Sequence, residues 1–239
     1  MNSKILSFPL ALPFFVLLLL LPFFLLAIVA LTNVTATVVV GNALGISPLV
    51  ALAVYLTILM GSLVNIPVYE FKSDSVQSSQ VFPHLGTRYT LPAWHGKRTV
   101  VALNLGGCVI PLLISLYFAL TLPLLQLLIC TIVVSLGVYY FSHPVRSVGV
   151  TVPVFITPLL AIIIAGISLY LGNIPLHEMA RLAFASGALG TIIGADVLHL
   201  RTIRKLGADL VSIGGAGTFD GILLTGIAAT ILAAILGSL

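Results

Sequence analysis

Charge is what this sequence has least of. Only 7% of its 239 residues are Asp, Glu, Lys or Arg, against about a quarter in an ordinary soluble domain, so the chain lacks the means to cover a water-facing surface. Cysteine is nearly absent too. Cys108 and Cys130 stand singly inside apolar segments without a CxxC spacing, which excludes a disulfide framework and leaves both as small core residues. The net charge of +4 comes with no block of basic residues interleaved with aromatics, which excludes a nucleic-acid surface.

What is abundant is hydrocarbon. Hydrophobic residues make up 60% of the chain, and apolar stretches recur from near residue 7 to the C-terminus. A helix needs roughly 20 such residues to cross about 30 Å of bilayer. The composition therefore predicts an all-α polytopic transmembrane bundle of about seven spans, one integral membrane domain over 1–239 with a polar cytoplasmic loop at about 69–98. The spans are expected near 7–30, 48–66, 100–120, 123–142, 151–171, 180–200 and 211–237, with Pro48, Pro67, Pro123 and Pro153 at ends or starts. The apolar run Phe8 to Ala30 is too long for a secretion signal and reads as a retained first helix. Residues 32–47 are ambiguous because Gly41, Asn42 and Gly45 interrupt them. Arg88 to Leu91 and Thr99 to Ala102 have strand-like composition, compatible with a small hairpin or with irregular connection.

Seven spans from a cytoplasmic N-terminus put Lys4, Lys72, Arg88, Lys97, Arg98, Arg146, Arg201, Arg204 and Lys205 inside and only Arg181 outside, with the C-terminus outside. Nine of ten basic residues on one side is the positive-inside pattern. Asn33-Val34-Thr35 then falls outside and matches a glycosylation acceptor.

Among the six acidic residues, Glu70, Asp74, Glu178 and Asp209 fit loops or helix ends. Asp196 and Asp220 fall within predicted spans, where a charged side chain costs about 2.5–3.5 kcal/mol and normally faces the bundle interior or a water-filled cavity. Helical counting sets Asp196 ~7.5 Å and Asp220 ~13.5 Å in from the cytoplasmic end. Two carboxyls at similar depth on adjacent antiparallel spans suit a dyad, whose mutual repulsion leaves one acid and one base to activate a water.

Gly187, Gly190 and Gly194 form a small face for close helix approach, while Gly214, Gly215, Gly217 and Gly221 surround Asp220 and favour unwound backbone with free amides. Asn65, Asn104, His199 and Thr218 supply further polar groups near the same face and are expected to bind substrate, with Gly215 and Gly217. Asp196, His199, Asp220 and His143 have acceptable ligand chemistry for zinc. His177-Glu178-Met179-Ala180-Arg181, however, lacks the second histidine of HExxH. No metal and no cofactor are assigned.

Gly190-Thr-Ile-Ile-Gly-Ala-Asp196-Val-Leu198 and Ser212-Ile-Gly-Gly-Ala-Gly-Thr-Phe-Asp220-Gly-Ile222 resemble the paired signature stretches of a prokaryotic membrane protein family, domain of unknown function 1614. Asn65-Ile-Pro67 and Asn104-Leu-Gly-Gly-Cys-Val-Ile-Pro111 resemble its earlier motifs, so the likeness runs from about residue 60 onward. It implies membrane location and supplies no activity. A more distant resemblance is to intramembrane aspartyl proteases, through Gly194-Ala-Asp196 as a partial GxGD element; no PAL motif is present.

The leading expectation is thus an aspartyl-type hydrolase cutting a membrane peptide or protein near the cytoplasmic face, with Asp196 and Asp220 catalytic. The alternatives are a proton- or cation-coupled transporter using the same aspartates, and a non-catalytic scaffold in which they form a buried clasp. Expected partners are membrane lipid and such a substrate, with no nucleic acid; the sequence leaves the oligomeric state open.

Overall fold

The computed structural model describes residues 11–72, 81–84, 87–90, 98–145, 149–153, 155–203 and 210–215, with Ala228 and Leu232. Six helices of ten residues or more make up its body: α1 (Ala11–Leu44), α2 (Pro48–Gly61), α3 (Ile110–Ala119), α4 (Leu124–Phe141), α5 (Ile156–Gly172) and α6 (Met179–Thr191). Among the described residues only three stretches are long and apolar enough to cross a membrane: Leu19–Leu44, Leu124–Phe141 and Leu176–Val197. These make the chain a multi-pass membrane protein, and they correct the expectation of about seven spans.

The correction has local causes. Residues 32–44 continue the first helix, and α1 runs on to Leu44. Thr32, Asn33, Thr35 and Thr37 each donate to the carbonyl four residues back, at 2.7–2.8 Å, so their polar groups are satisfied within the helix and need no water. Asn33 is therefore helical, and its Oδ1 accepts from Tyr55 on α2 at 3.0 Å. The helix stops at Gly45, whose φ of 71° is left-handed. Ser47 then caps α2, its hydroxyl accepting from the Val50 amide at 3.4 Å, with Pro48 in the first turn.

The predicted third span does not begin at residue 100. Arg98–Asn104 forms a strand (β4), β-branched at Thr99, Val100 and Val101. It pairs antiparallel with β1 (Asn65–Lys72) from Asn65 opposite Asn104 to Lys72 opposite Arg98. The register slips between Pro67 and Tyr69, where proline has no amide to donate. A small hairpin, β2 (Val81–His84) with β3 (Thr87–Thr90), lies between them in sequence, so the strand-like pieces at 88–91 and 99–102 pair with other partners and not with each other. The predicted seventh span also fails at its start. Leu210–Ile213 is a strand, here β7 after the short pair β5 (His143–Val145) and β6 (Gly149–Thr151), and it runs parallel to β4 with Leu103 opposite Ile213. The body is helical, and the β1–β4–β7 sheet and the β5–β6 pair lie at one end of it.

The helix pairs α1–α2, α3–α4 and α5–α6 each turn at one end of the bundle, the turn end. The opposite end carries β1, β4, β7, the β5–β6 pair and the short α7 (Leu200–Ile203). Helix α6 is the hub. Its Ala180, Ala183, Ala185, Ser186, Gly187, Ala188 and Gly190 are all buried, small enough to bring α3, α4 and α5 against it. Large buried side chains, including Phe118, Leu127, Leu169, Met179 and Leu182, fill the remaining space, with Ala228 and Leu232 packed on this core. A second, smaller core of Phe71, Val101, Cys108, Ile192 and Ile213 joins the sheet to the helices.

Candidate functional site

At the sheet end both α3 and α6 depart from α-helical geometry. Leu105–Val109, leading into α3, and Ile192–Val197, continuing α6, are π-helical, a geometry that inserts a residue per turn and often marks functional sites. Asp196 lies in the second of these. It is partly buried, and its Oδ2 accepts from the Gly214 amide at 2.8 Å. Gly214 can make that turn because its φ of 75° is open to glycine.

Gly214 is also held from the other side. Its carbonyl lies so close to Gly107 that a side-chain carbon there would collide with it. The Gly107 amide donates to Asn104 Oδ1 at 2.8 Å, making Asn104 the cap of the first π-helical turn. The Asn104 amide group donates to the Ser62 carbonyl at 2.7 Å and to Asn65 Oδ1 at 3.2 Å. Asn65 Oδ1 accepts a second bond, 2.5 Å, from Ser212 Oγ. Gly215 closes the turn through its amide, which donates to the Ser212 carbonyl at 3.3 Å. One polar junction thus links four separated stretches of sequence, and a carboxylate stands at its edge.

Of the residues expected to form a site, the structure brings together Asp196, Asn65, Asn104 and Gly215. His199 is turned elsewhere. It is buried against α4, its ring 4.6 Å from that of Tyr139, with Nδ1 3.1 Å from the Gly194 carbonyl and 3.5 Å from Ser142 Oγ. That placement suits a residue locking the π-helical turn onto α4 more directly than one touching substrate. His143 begins β5 at an exposed position. Asp220, Gly217 and Thr218 lie outside the described residues. The helical counting that set Asp220 ~13.5 Å deep loses its start, since Leu210–Ile213 is extended. Among the described residues no three His, Cys, Asp or Glu side chains gather into a metal-binding group.

Ser212 belongs to the junction and was not anticipated. Its signal was faint: a single hydroxyl in Leu-Val-Ser-Ile, the one polar position of a short alternating strand. Ser62 contributes only its main-chain carbonyl, which no side-chain pattern reveals.

The arrangement can do three things chemically. The Gly214 amide fixes one carboxylate oxygen in place, the asparagine pair supplies donors and acceptors already oriented by their neighbours, and β7 offers an edge beside Asp196 among the described residues, since β4 occupies its other side. An extended chain can pair with such an edge through main-chain hydrogen bonds.

Comparison with curated proteins gives no match, and comparison with solved structures gives none, so the likeness to aspartyl proteases finds no support there. The polar junction, Asp196 and the glycine turn at Gly214 all fall within residues 59–232, which match a single family model, and the chain belongs to that family, described as protein of unknown function DUF1614.

Proposed function

We propose that this protein is a membrane-embedded peptide hydrolase of the aspartyl type, with Asp196 and Asp220 as the two acids. The observation that carries the reading is Asp196 itself: an ionisable side chain in a candidate span, oriented by a main-chain amide and set beside the edge of a strand. An extended peptide lying along β7 would bring its backbone past this carboxylate. In the reaction one carboxylate takes a proton from water as its oxygen bonds to the scissile carbonyl carbon, and the partner acid protonates the carbonyl oxygen. Collapse of the tetrahedral intermediate breaks the carbon–nitrogen bond, and the amine leaves with a proton returned from the dyad. Asn65, Asn104 and Thr218, with the amides of Gly215 and Gly217, would hold the substrate strand. His199 would act from behind, keeping the π-helical turn in place.

The test is direct cleavage. Purified wild-type, Asp196→Asn and Asp220→Asn proteins in liposomes are incubated from pH 4 to 8 with a pool of membrane peptides, and products are read by mass spectrometry. Cleavage by wild type alone supports the proposal; cleavage by all three proteins, or by none, removes it.

One observation favours a second reading, a proton- or cation-coupled carrier. Two interrupted helices, at Leu105–Val109 and Ile192–Val197, meet at the same junction, and helix interruptions of this kind build ion sites in carriers. Ion-driven uptake into liposomes that is lost in Asp196→Asn, without any peptide product, would establish it.

For orientation we propose that the sheet end and the N-terminus face the cytoplasm and the C-terminus lies outside. The elements at the sheet end contain Lys72, Arg98 and Arg201, while Arg181 sits at the turn end, a bias of the positive-inside kind. Cysteines placed at Ser75 and Ser238 should label from opposite sides of the membrane, and labelling from one side would overturn the assignment.

A further inference from the structure

Away from the junction, at the turn end, a groove of about 410 Å³ opens between α4 and α5, within the roughly 300–1,000 Å³ of small-molecule sites. One amide side chain, Gln126, stands at its mouth, and its depth is aliphatic. Gln126, in the first turn of α4, lies over Gly172 at the end of α5, its Nε2 3.2 Å from where a Gly172 Cβ would stand. Its amide forms no hydrogen bond among the described residues. Further in, the Cys130 thiol lies 3.9 Å from the Ile164 carbonyl, with Ser168 also in the lining. Beyond them the lining at Val133 and Ile164 is purely aliphatic. From Gln126 to Val133 is seven residues, ~10 Å along the helix.

This gradient matches one kind of occupant. The mouth sits at the end of a span, where the headgroup boundary of a bilayer falls, and the groove descends into hydrocarbon depth. Gln126 is half-buried there, and its amide is a donor with no partner among the described residues that an acceptor at that depth can take up. A water-soluble ligand does not suit a slot whose rim residues Ile129, Ile167 and Leu171 are 48%, 54% and 76% exposed and face the surroundings of the bundle. A second transmembrane helix suits it poorly as well, since close helix approach needs small residues and these three hold a partner backbone off.

We propose that the α4–α5 groove binds one ester-linked acyl chain of a membrane lipid, the Gln126 amide donating to the ester carbonyl and the chain lying along Cys130, Val133 and Ile164. The site is independent of the hydrolase reading and lies at the other end of the bundle.

The experiment uses the full chain in nanodiscs containing a trace of phosphatidylcholine whose acyl chain carries a diazirine, with photolabelled residues mapped by mass spectrometry. Label is expected at Val133 and Ile164, competed by unlabelled diacyl phosphatidylcholine. The ether-linked analogue, which lacks the carbonyl, should compete roughly fivefold less well, the worth of about one hydrogen bond. Gln126→Leu should erase that difference between ester and ether while leaving the chain labelled and the label on α1 unchanged. Ser168→Phe, which fills the slot, should cut groove labelling severalfold without changing label on the exposed face of α1 around Leu25 and Leu26. Equal competition by ester and ether lipids in wild type would overturn the proposal. So would label no denser in the groove than on α1, or cross-linking of the groove to a second copy of the chain.

Discussion

The two ends of this bundle solve the same problem, turning a chain at a membrane surface, in different ways. The turn end uses short connections closed by local devices. Gly45 at φ 71° ends α1, Asn173 at φ 49° ends α5, and Arg181 donates through Nε to the Leu44 carbonyl at 2.9 Å while pairing with Glu178 at 3.2 Å. The sheet end uses long-range contacts: Asn65 with Asn104, Ser212 with Asn65, Gly214 with Asp196. Where the helix ends are closed within a few residues or by one clasp, the arrangement explains itself as structure. Where polar groups from three distant stretches converge beside a partly buried carboxylate, the arrangement is the one on which a functional reading rests.

The largest expected effect breaks the sheet end only. Asp196→Asn and Asp220→Asn should each lower peptide cleavage by roughly 10⁴-fold, with the double variant little worse, because groups acting as a unit are not additive. Melting of the folded protein in detergent should barely move, since asparagine still offers an oxygen to the Gly214 amide. A purely structural clasp predicts that whatever activity the protein has survives the asparagine change, and comparing activity with melting separates the two.

Arg181→Ala tests the turn end by the same comparison. Losing the clasp on the α1 terminus and leaving Glu178 without its partner should cost about 2 kcal/mol of stability, in the range for hydrogen bonds to charged groups. Activity per folded molecule should stay unchanged. A loss of activity without a loss of stability would erase the distinction between the ends.

Gly45→Ala and Gly214→Ala sharpen it. Both glycines have left-handed φ, and alanine there costs about 1–2 kcal/mol. The stability loss should be larger at Gly214, where a Cβ would meet Cys108 and the Gly107 backbone at 2.6 Å, than at Gly45, where it would meet the end of the Arg181 side chain. Only Gly214→Ala should also lower activity, because its amide is what holds Asp196. The smallest effect is expected from Arg98→Ala. The Arg98–Glu70 pair, at 3.2 Å, has side chains 70% and 47% exposed, and such surface pairs contribute ~0.2–1 kcal/mol; thermal unfolding should show a shift near the limit of measurement.

Much of the candidate site was legible residue by residue. An aspartate in an apolar stretch stands out because burying charge is expensive, and Asn65 and Asn104 stand out for the same reason at lower cost. Which residues meet was not legible. Asp196 and His199 are three apart, a spacing that puts two side chains on one face of a regular helix, yet Asp196 engages Gly214 and His199 engages α4, because the helix between Ile192 and Val197 is wound differently. Span counting failed for a related reason. Hydropathy registers Val100, Val101 and Leu103 as apolar without registering that they pair with β1, and it reads the threonines of α1 as polar although their hydroxyls are bonded within the helix.

By itself the sequence determined the solvent of this protein, since hydrocarbon content acts through bulk transfer, which needs no knowledge of partners. It also determined which groups are costly to bury. Tertiary structure alone decided that residues 98–104 and 210–213 become neighbouring strands, that Gly107 and Gly214 touch, and that Asp196 receives its hydrogen bond from an amide 18 residues away. Strand pairing and close backbone approach depend on which surfaces are brought together in space, and the same apolar residues satisfy a membrane span or a buried strand equally well until those surfaces meet.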